Sequence, residues 1–179
     1  SAASDVYKRQ DEIVLAAHRQ LLATRPDALL ILVPRHPERF NSVHELCISQ
    51  GLTTRRRSMG EAVQASDQVL LGDTMGELLF LYALADIAFV GGSLVANGGH
   101  NLLEPAALGK PVLSGPHLFN FLEIAAQLRD AGALSEVENA AQLADRVATL
   151  LNEPSEMQSM SQAGLNVLKA NPVSYTHLR

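Results

Sequence analysis

Apolar and polar positions change period repeatedly along this chain. From Asp11 to Arg25 the apolar residues Ile13, Ala17 and Leu21 recur, with Val14 and Leu22 beside them, and Pro26 follows. That spacing predicts an amphipathic helix stopped by proline. "ALLILVP" (Ala28–Pro34) is continuously apolar and short, as in a strand buried on both faces. Pro37–Gln50 reads as a helix closed by Gly51, "TTRRRS" as a short edge strand, and "QVLLGD" (Gln68–Asp73) as a second buried strand. Met75–Ala85 reads as a helix that is apolar nearly all round. "DIAFVGG" is a strand, "NLLEPAALG" a short helix and "PVLSGP" a strand. Helices are expected over Phe119–Asp130, Asn139–Leu151 and Pro154–Ala170.

Helical periods alternating with short apolar runs predict an α/β fold with a mostly parallel sheet. In such sheets ligands bind beyond the carboxyl ends of the strands, so polar residues just past a strand are the candidates for function.

Composition narrows the choice. The formal net charge is −5 and there is one cysteine, Cys47. An acidic chain is a poor general nucleic-acid binder, and a single cysteine excludes a disulfide framework and a cysteine-based zinc site. No histidine pair has metalloprotease spacing, so no metal is expected. No apolar run approaches the length of a membrane span.

The two ends read differently from the middle. "SAASDVYKRQ" back-translates into a string that resembles a transposon adapter used for sequencing libraries. "VSYTHLR" back-translates into a string resembling the reverse complement of the companion adapter. Residues 1–10 and 173–179 are therefore expected to be adapter-derived tails that contribute nothing to the core, and residues 11–172 the native segment of a longer protein.

Three constellations sit past predicted strands. In "PRHPERF", Arg35 and His36 follow the first strand, where an arginine can hold a phosphate or carboxylate with paired donors; the plainer reading is a solvated loop, with Arg39 on the outer face of a helix. In "GDTMGEL", Asp73 or Thr74 can cap a helix beginning near Met75 and Gly76, with Glu77 in its first turn. The third, "GGSLVANGGHNLLEPAALGKPVLSGP", holds six glycines. Gly98 and Gly99 permit close backbone approach, and His100 and Asn101 begin the next helix, where free amides favour a phosphate. Glu104, about one turn in, can accept hydrogen bonds from two adjacent hydroxyls such as those of a ribose. The spacing fits neither the dinucleotide fingerprint nor the P-loop. His18 and His44 are expected at the surface, His117 either along the same cleft or as a cap, and Arg55–Arg57 as a solvated edge.

Taken together and in order, "LVPRHPERF", "LLGDTMGELLFLYALADIAFVGGSL" and "GGHNLLEPAALGKPVLSGPHLFNF" resemble the 3-deoxy-D-manno-octulosonic acid (Kdo) transferases of Gram-negative bacteria. The resemblance implies a Rossmann-like domain with helices on both faces of the sheet, the C-terminal half of a two-domain GT-B glycosyltransferase. It implies CMP-Kdo as donor, lipid A precursor as acceptor through an N-terminal domain, no cofactor, and a parent enzyme at the cytoplasmic face of the inner membrane. On this reading Arg35, His36 and Met75–Glu77 border the CMP site. Ser93, Gly98, Gly99, His100 and Asn101 face the phosphate and the sugar carboxylate, and Glu104 binds the ribose. The catalytic base of the family lies in the N-terminal domain, so this segment alone is expected to be inactive. Val95–Asn97 and Leu102 depart from the family pattern, which often has a proline and a basic residue after "GGSL". A UDP-sugar-binding domain of another GT-B enzyme and a non-catalytic α/β ligand-binding domain stay open beside this reading.

Overall fold

A computed structural model describes residues 2–171, with side chains from residue 5 onward. The tail at residues 173–179 lies outside the described residues.

Seven helices and six strands are formed among the described residues. Helix α1 (Ala2–Thr24) leads to β1 (Leu30–Leu32) and, through a tight turn at Pro37–Arg39, to α2 (Phe40–Ser49). Next come β2 (Thr54–Arg56), β3 (Val69–Leu71), α3 (Leu78–Leu84), β4 (Ala88–Val90), α4 (Leu103–Ala107) and β5 (Val112–Ser114). Helix α5 (Leu122–Asp130), β6 (Leu134–Glu136), α6 (Ala140–Asn152) and α7 (Pro154–Ala170) complete the chain.

Every strand pairing is parallel, as the uninterrupted apolar runs predict. The sheet comes as two halves, ordered β1-β3-β2 and β4-β5-β6. In register, Leu30 lies opposite Val69 and Ala88 opposite Val112. The strand at β6 was not expected: "LSE" has no apolar run, and it is recruited as an edge by pairing with β5.

Successive residues of β5 serve opposite faces. Val112 joins Leu102, Ala106, Leu128 and Leu168 in a core under α4, α5 and α7. Leu113 joins Val14, Ala17, Leu143 and Leu150 in a core under α1 and α6. A third cluster seats Leu15 of α1 and Val43 and Cys47 of α2 on Val69 and Leu71. Helix α1 therefore spans both half-sheets, and Leu30 and Leu32 of β1 pack against both the second and third clusters.

Helix α1 begins well before Asp11, and Gln10 is buried at 8% exposure, so the expectation that residues 1–10 stand clear of the core does not hold for Gln10. His18 also departs from expectation: it is 5% exposed, and its Nε2–H donates to the Gln68 carbonyl at 2.7 Å. Burial holds its pKa below the usual histidine value. Arg39 turns inward rather than outward, forming a 2.6 Å ion pair with Asp11 and lying over the Tyr7 ring at 5.3 Å.

Candidate functional site

A cleft of about 610 Å³ opens at the carboxyl ends of β1 and β4 and continues down between the two half-sheets. Its mouth brings together Arg35 and His36 past β1, Met75 and Gly76 before α3, and His100, Asn101 and Glu104 before and within α4. These are residues that the sequence places past strands. Tyr82 of α3 joins them and was not anticipated, because a tyrosine in a helix apolar nearly all round reads as core. Desolvation, reinforced by the Glu104 carboxylate and offset by the Arg35 guanidinium, pushes the Tyr82 hydroxyl up to about 12. It stays a neutral donor and acceptor across the physiological range.

The turn Gly91–Asn101 is held by its own backbone. Gly99 N–H donates to the Gly92 carbonyl at 2.8 Å, and His100 N–H to that of Gly91 at 2.9 Å. This folds the His100 ring over Gly91 and Gly92, where a Cβ would lie 3.0 and 3.1 Å from ring atoms. Gly92 also has φ +73°, a left-handed conformation that favours glycine. Half-buried and beside Arg35 and His36, His100 has a pKa lowered to about 4 by desolvation and by those neighbours, and is neutral near pH 7. Asn101 Oδ1 accepts from Leu103 N–H at 2.9 Å, and its Nδ2–H donates to Glu104 Oε1 at 3.2 Å. The Glu104 carboxylate is thereby oriented while half-exposed at the cleft.

Other sequence-predicted residues are placed differently. The Ser93 side chain is fully buried: its Oγ–H donates to the Val90 carbonyl at 2.5 Å, and its Oγ accepts from Gly115 N–H at 2.8 Å. It ties the exits of β4 and β5 together. Gly98 and Gly99 lie behind the cleft wall, packed beneath Asn120 and Leu118. Glu77 does not line the cleft; its carboxylate accepts two bonds from Arg57, at 3.2 and 3.1 Å, and one from Thr74 Oγ1 at 2.5 Å. Asp73 caps no helix. It accepts from Arg56 Nε at 2.6 Å, and from Ser58 N–H and Oγ at 2.8 and 2.5 Å. Helix α3 consequently begins at Leu78 rather than Met75.

The arginine run is a set of pairs rather than a solvated edge: Arg55 bonds Asp67 and Glu61, Arg56 bonds Asp73, and Arg57 bonds Glu77. His117 is exposed and does not line the cleft; only its backbone N–H is engaged, by the Ser93 carbonyl. Among the described residues no cluster of His, Cys, Asp and Glu could hold a metal ion.

Comparison with known proteins gives this arrangement a lineage. A family described as "Glycosyl transferases group 1" matches residues 3–167. The chain belongs to the group 1 glycosyl transferases. A 3-deoxy-D-manno-octulosonic acid transferase of Haemophilus influenzae is 47% identical over 94% of this chain. That of Bordetella pertussis is 45% identical over 83% of it. The chain spans 40% and 34% of the lengths of these two relatives. A crystal structure described as the C-terminal CMP-Kdo binding domain of WaaA from Acinetobacter baumannii superposes with a TM-score of 0.85 at 41% identity. The match covers 89% of this chain and 83% of that one. Within the family, then, the domain is of the kind found at the C-terminus of Kdo transferases, as the three sequence motifs imply. The cleft mouth of this domain is built from those same motifs: "PRH" supplies Arg35 and His36, and "GGHNLLEP" supplies His100, Asn101 and Glu104.

Proposed function

We propose that the domain is the donor-binding half of a glycosyltransferase that moves Kdo from CMP-Kdo to lipid A precursor. The observation that carries this reading is the convergence, at the carboxyl ends of β1 and β4, of the Arg35 guanidinium, the oriented Glu104 carboxylate and several further polar groups. A CMP-sugar presents complementary chemistry: ribose hydroxyls, one phosphate and a sugar carboxylate. Glu104, held by Asn101, accepts hydrogen bonds from the ribose. Arg35 offers paired donors to the phosphate or the sugar carboxylate. His100, neutral at working pH, and the Tyr82 hydroxyl add hydrogen bonds without adding charge, and Arg39 is paired with Asp11, so Arg35 is the guanidinium offered to the anionic donor.

Glu77 and Ser93, although part of the same motifs, act indirectly: Glu77 fixes the loop carrying Met75 and Gly76, and Ser93 fixes the turn carrying His100. Transfer also requires a base and an acceptor aligned with the anomeric carbon. On this reading the N-terminal half of the parent supplies both, and places the enzyme at the cytoplasmic face of the inner membrane. None of the described helices is long and apolar enough to cross a membrane.

Calorimetric titration of the domain with CMP, UMP and UDP tests the proposal. CMP is expected to bind at least roughly tenfold more tightly than UMP, a difference of about 1.4 kcal/mol. Tighter binding of UDP would replace the donor assignment with a UDP-sugar, and no binding of any of the three would leave a domain without this chemistry.

A further inference from the structure

One lip of the cleft is the loop between β3 and α3, and its backbone does not hold it in place. Asp73, Thr74, Met75 and Gly76 make no backbone-to-backbone hydrogen bond among the described residues. Met75 is exposed, and a Cβ placed on Gly76 would meet no atom within 4 Å, so packing holds the lip no better. Two side-chain fastenings do, one at each end, and both come from the close of β2 rather than from the cleft. At the first, the Asp73 carboxylate accepts from Arg56 Nε at 2.6 Å and from Ser58 N–H and Oγ–H at 2.8 and 2.5 Å. At the second, the Glu77 carboxylate accepts from Arg57 Nε and Nη2 at 3.2 and 3.1 Å, one on each oxygen, and from Thr74 Oγ1 at 2.5 Å. The two differ in burial. The Asp73 side chain is 1% exposed, so its fastening belongs to the fold. The Arg57 and Glu77 side chains are 41% and 31% exposed, and a pair so placed contributes little stability. What it fixes is orientation, because a guanidinium fork on both oxygens sets the plane of the carboxylate.

We infer that Arg57, which lies outside the cleft, is a positioning residue for nucleobase selection, acting through Glu77 and Thr74 on the lip Met75–Gly76. The inference rests on the donor reading above and adds the group that makes the site choose its base. With Arg35 offered to the anionic groups and Glu104 to the ribose, Met75 and Gly76 are the part of the mouth left for the base. An exposed thioether suits the face of a flat ring, and a peptide unit with free N–H and C=O suits its edge. Cytosine and uracil have nearly the same shape and differ in where that edge donates and accepts. Cytosine sets an amino donor beside a ring-nitrogen acceptor; uracil sets a carbonyl acceptor beside a ring N–H donor. A peptide unit carries one donor and one acceptor, so it discriminates only while its orientation is fixed; a lip free to turn satisfies either base. Gly76, at φ +80°, makes that turning easy, because glycine moves between conformations at little cost. The chain Arg57–Glu77–Thr74 opposes it. Thr74 and Glu77 flank Met75–Gly76, so the bond between their side chains closes a ring across the lip. The Arg57 guanidinium, 5.6 Å above the centre of the Phe80 ring, ties that ring of bonds to the first turn of α3.

Calorimetric titration of CMP, UMP and ribose 5-phosphate into the parent chain, Arg57→Ala and Arg57→Lys tests it. Ribose 5-phosphate keeps the anion and the sugar but has no base. Arg57→Ala is expected to weaken CMP roughly tenfold, to reduce the preference for CMP over UMP to about threefold or less, and to leave ribose 5-phosphate within about twofold of the parent. Arg57→Lys keeps the charge without the fork and should fall between the two. The melting temperature should hold in both variants, because the pair is exposed. Thr74→Val removes only the bond across the lip and should shift the preference in the same direction, which keeps the test open if Arg57→Ala folds poorly. In amide NMR spectra without nucleotide, the Gly76 resonance should move in Arg57→Ala while that of Gly132 stays in place. A preference for CMP that survives Arg57→Ala overturns the inference, as does an unmoved Gly76 resonance or a parent chain that binds CMP and UMP equally. An equal loss for all three ligands also overturns it, since Arg57 would then act by its charge alone. A parent chain that binds neither CMP nor ribose 5-phosphate overturns the donor reading itself, and this inference with it.

Discussion

Gln10 Oε1 accepts hydrogen bonds from two successive backbone amides, Ser93 N–H at 3.0 Å and Leu94 N–H at 3.2 Å, across more than 80 residues of chain. All three groups are buried. The side chain therefore satisfies two donors that otherwise have to be hydrated at the rim of the cleft. Changing Gln10 to alanine is expected to cost about 2 kcal/mol, since an unsatisfied buried donor costs about 1–3 kcal/mol. Removing only the residues before Tyr7 should cost less than about 1 kcal/mol. Denaturant midpoints of the two variants check this; equal midpoints for Gln10→Ala and the parent chain would show that solvent serves these amides as well as Gln10 does.

Glu104 is oriented by Asn101 but buries little of the fold beneath it. Glu104→Ala should lower CMP affinity by about thirtyfold, about 2 kcal/mol, because two charge-assisted bonds to the ribose are lost and partly replaced by water. Unmutated protein should bind 2′-deoxy-CMP more weakly than CMP for the same reason. The melting temperature should hold, because the bond from Leu103 N–H to Asn101 Oδ1 survives the change. Unaltered CMP affinity combined with a lower melting temperature would make Glu104 a structural carboxylate.

His100 gives the fold a pH dependence whose sign follows from burial. Its pKa falls to about 4 in the folded protein from an ordinary value of 6.5, with desolvation the main cause and Arg35 and His36 adding to it. The unfolded chain then binds more protons between these values, so stability is full above about pH 6.5 and declines as pH falls toward 4. After discounting for the ring's partial exposure, the His100 contribution is about 1–2 kcal/mol. His18, also depressed by burial, acts in the same direction. Denaturant midpoints at pH 7 and pH 5 for the parent and His100→Gln should converge at the lower pH. A His100 ring that titrates near 6.5 by NMR would remove the basis of this prediction.

Gly92 and Gly132 both have positive φ, +73° and +79°, but only Gly92 faces a side chain that a Cβ would crowd. Gly132→Ala should cost about 1–2 kcal/mol from backbone strain alone. Gly92→Ala should cost more, and should also weaken CMP binding by displacing the His100 ring. Thermal melts and CMP titrations of the two variants separate the effects; equal losses in both would mean that the ring moves aside freely.

The strands at Leu30–Leu32, Val69–Leu71, Ala88–Val90 and Val112–Ser114 were legible because each is a short apolar run bounded by proline, glycine or aspartate. Most of the cleft mouth was legible for a related reason: Arg35, His36, His100, Asn101 and Glu104 sit where a parallel sheet presents ligand groups. What escaped depends on partners distant in sequence. Nothing near Ser93 says that its hydroxyl is consumed by Val90 and Gly115, and nothing near Arg57 says that Glu77 will engage it. Those bonds decide which motif residues face a ligand and which hold the others in place. Asp73 and Thr74 have the composition of a helix cap, yet their oxygens go to Arg56, Ser58 and Glu77 instead, which moves the start of α3. The glycines were anticipated as room for a ligand. At Gly91 and Gly92 the room is taken by the protein's own histidine.

The seating of α1 on α6 has a consequence for synthesis. Ala17 and Val14 find Leu143 and Ala144 only after roughly 130 further residues have been translated, which at cellular elongation rates takes on the order of ten seconds. Until then Val14 and Ala17 have Leu30, Leu32, Phe89 and Leu113 of the strands beneath them but no α6 to close over them, while Leu15 has α2 and β3. Helix α1 is thus an early product whose burial is completed late, by an element translated near the end of the domain.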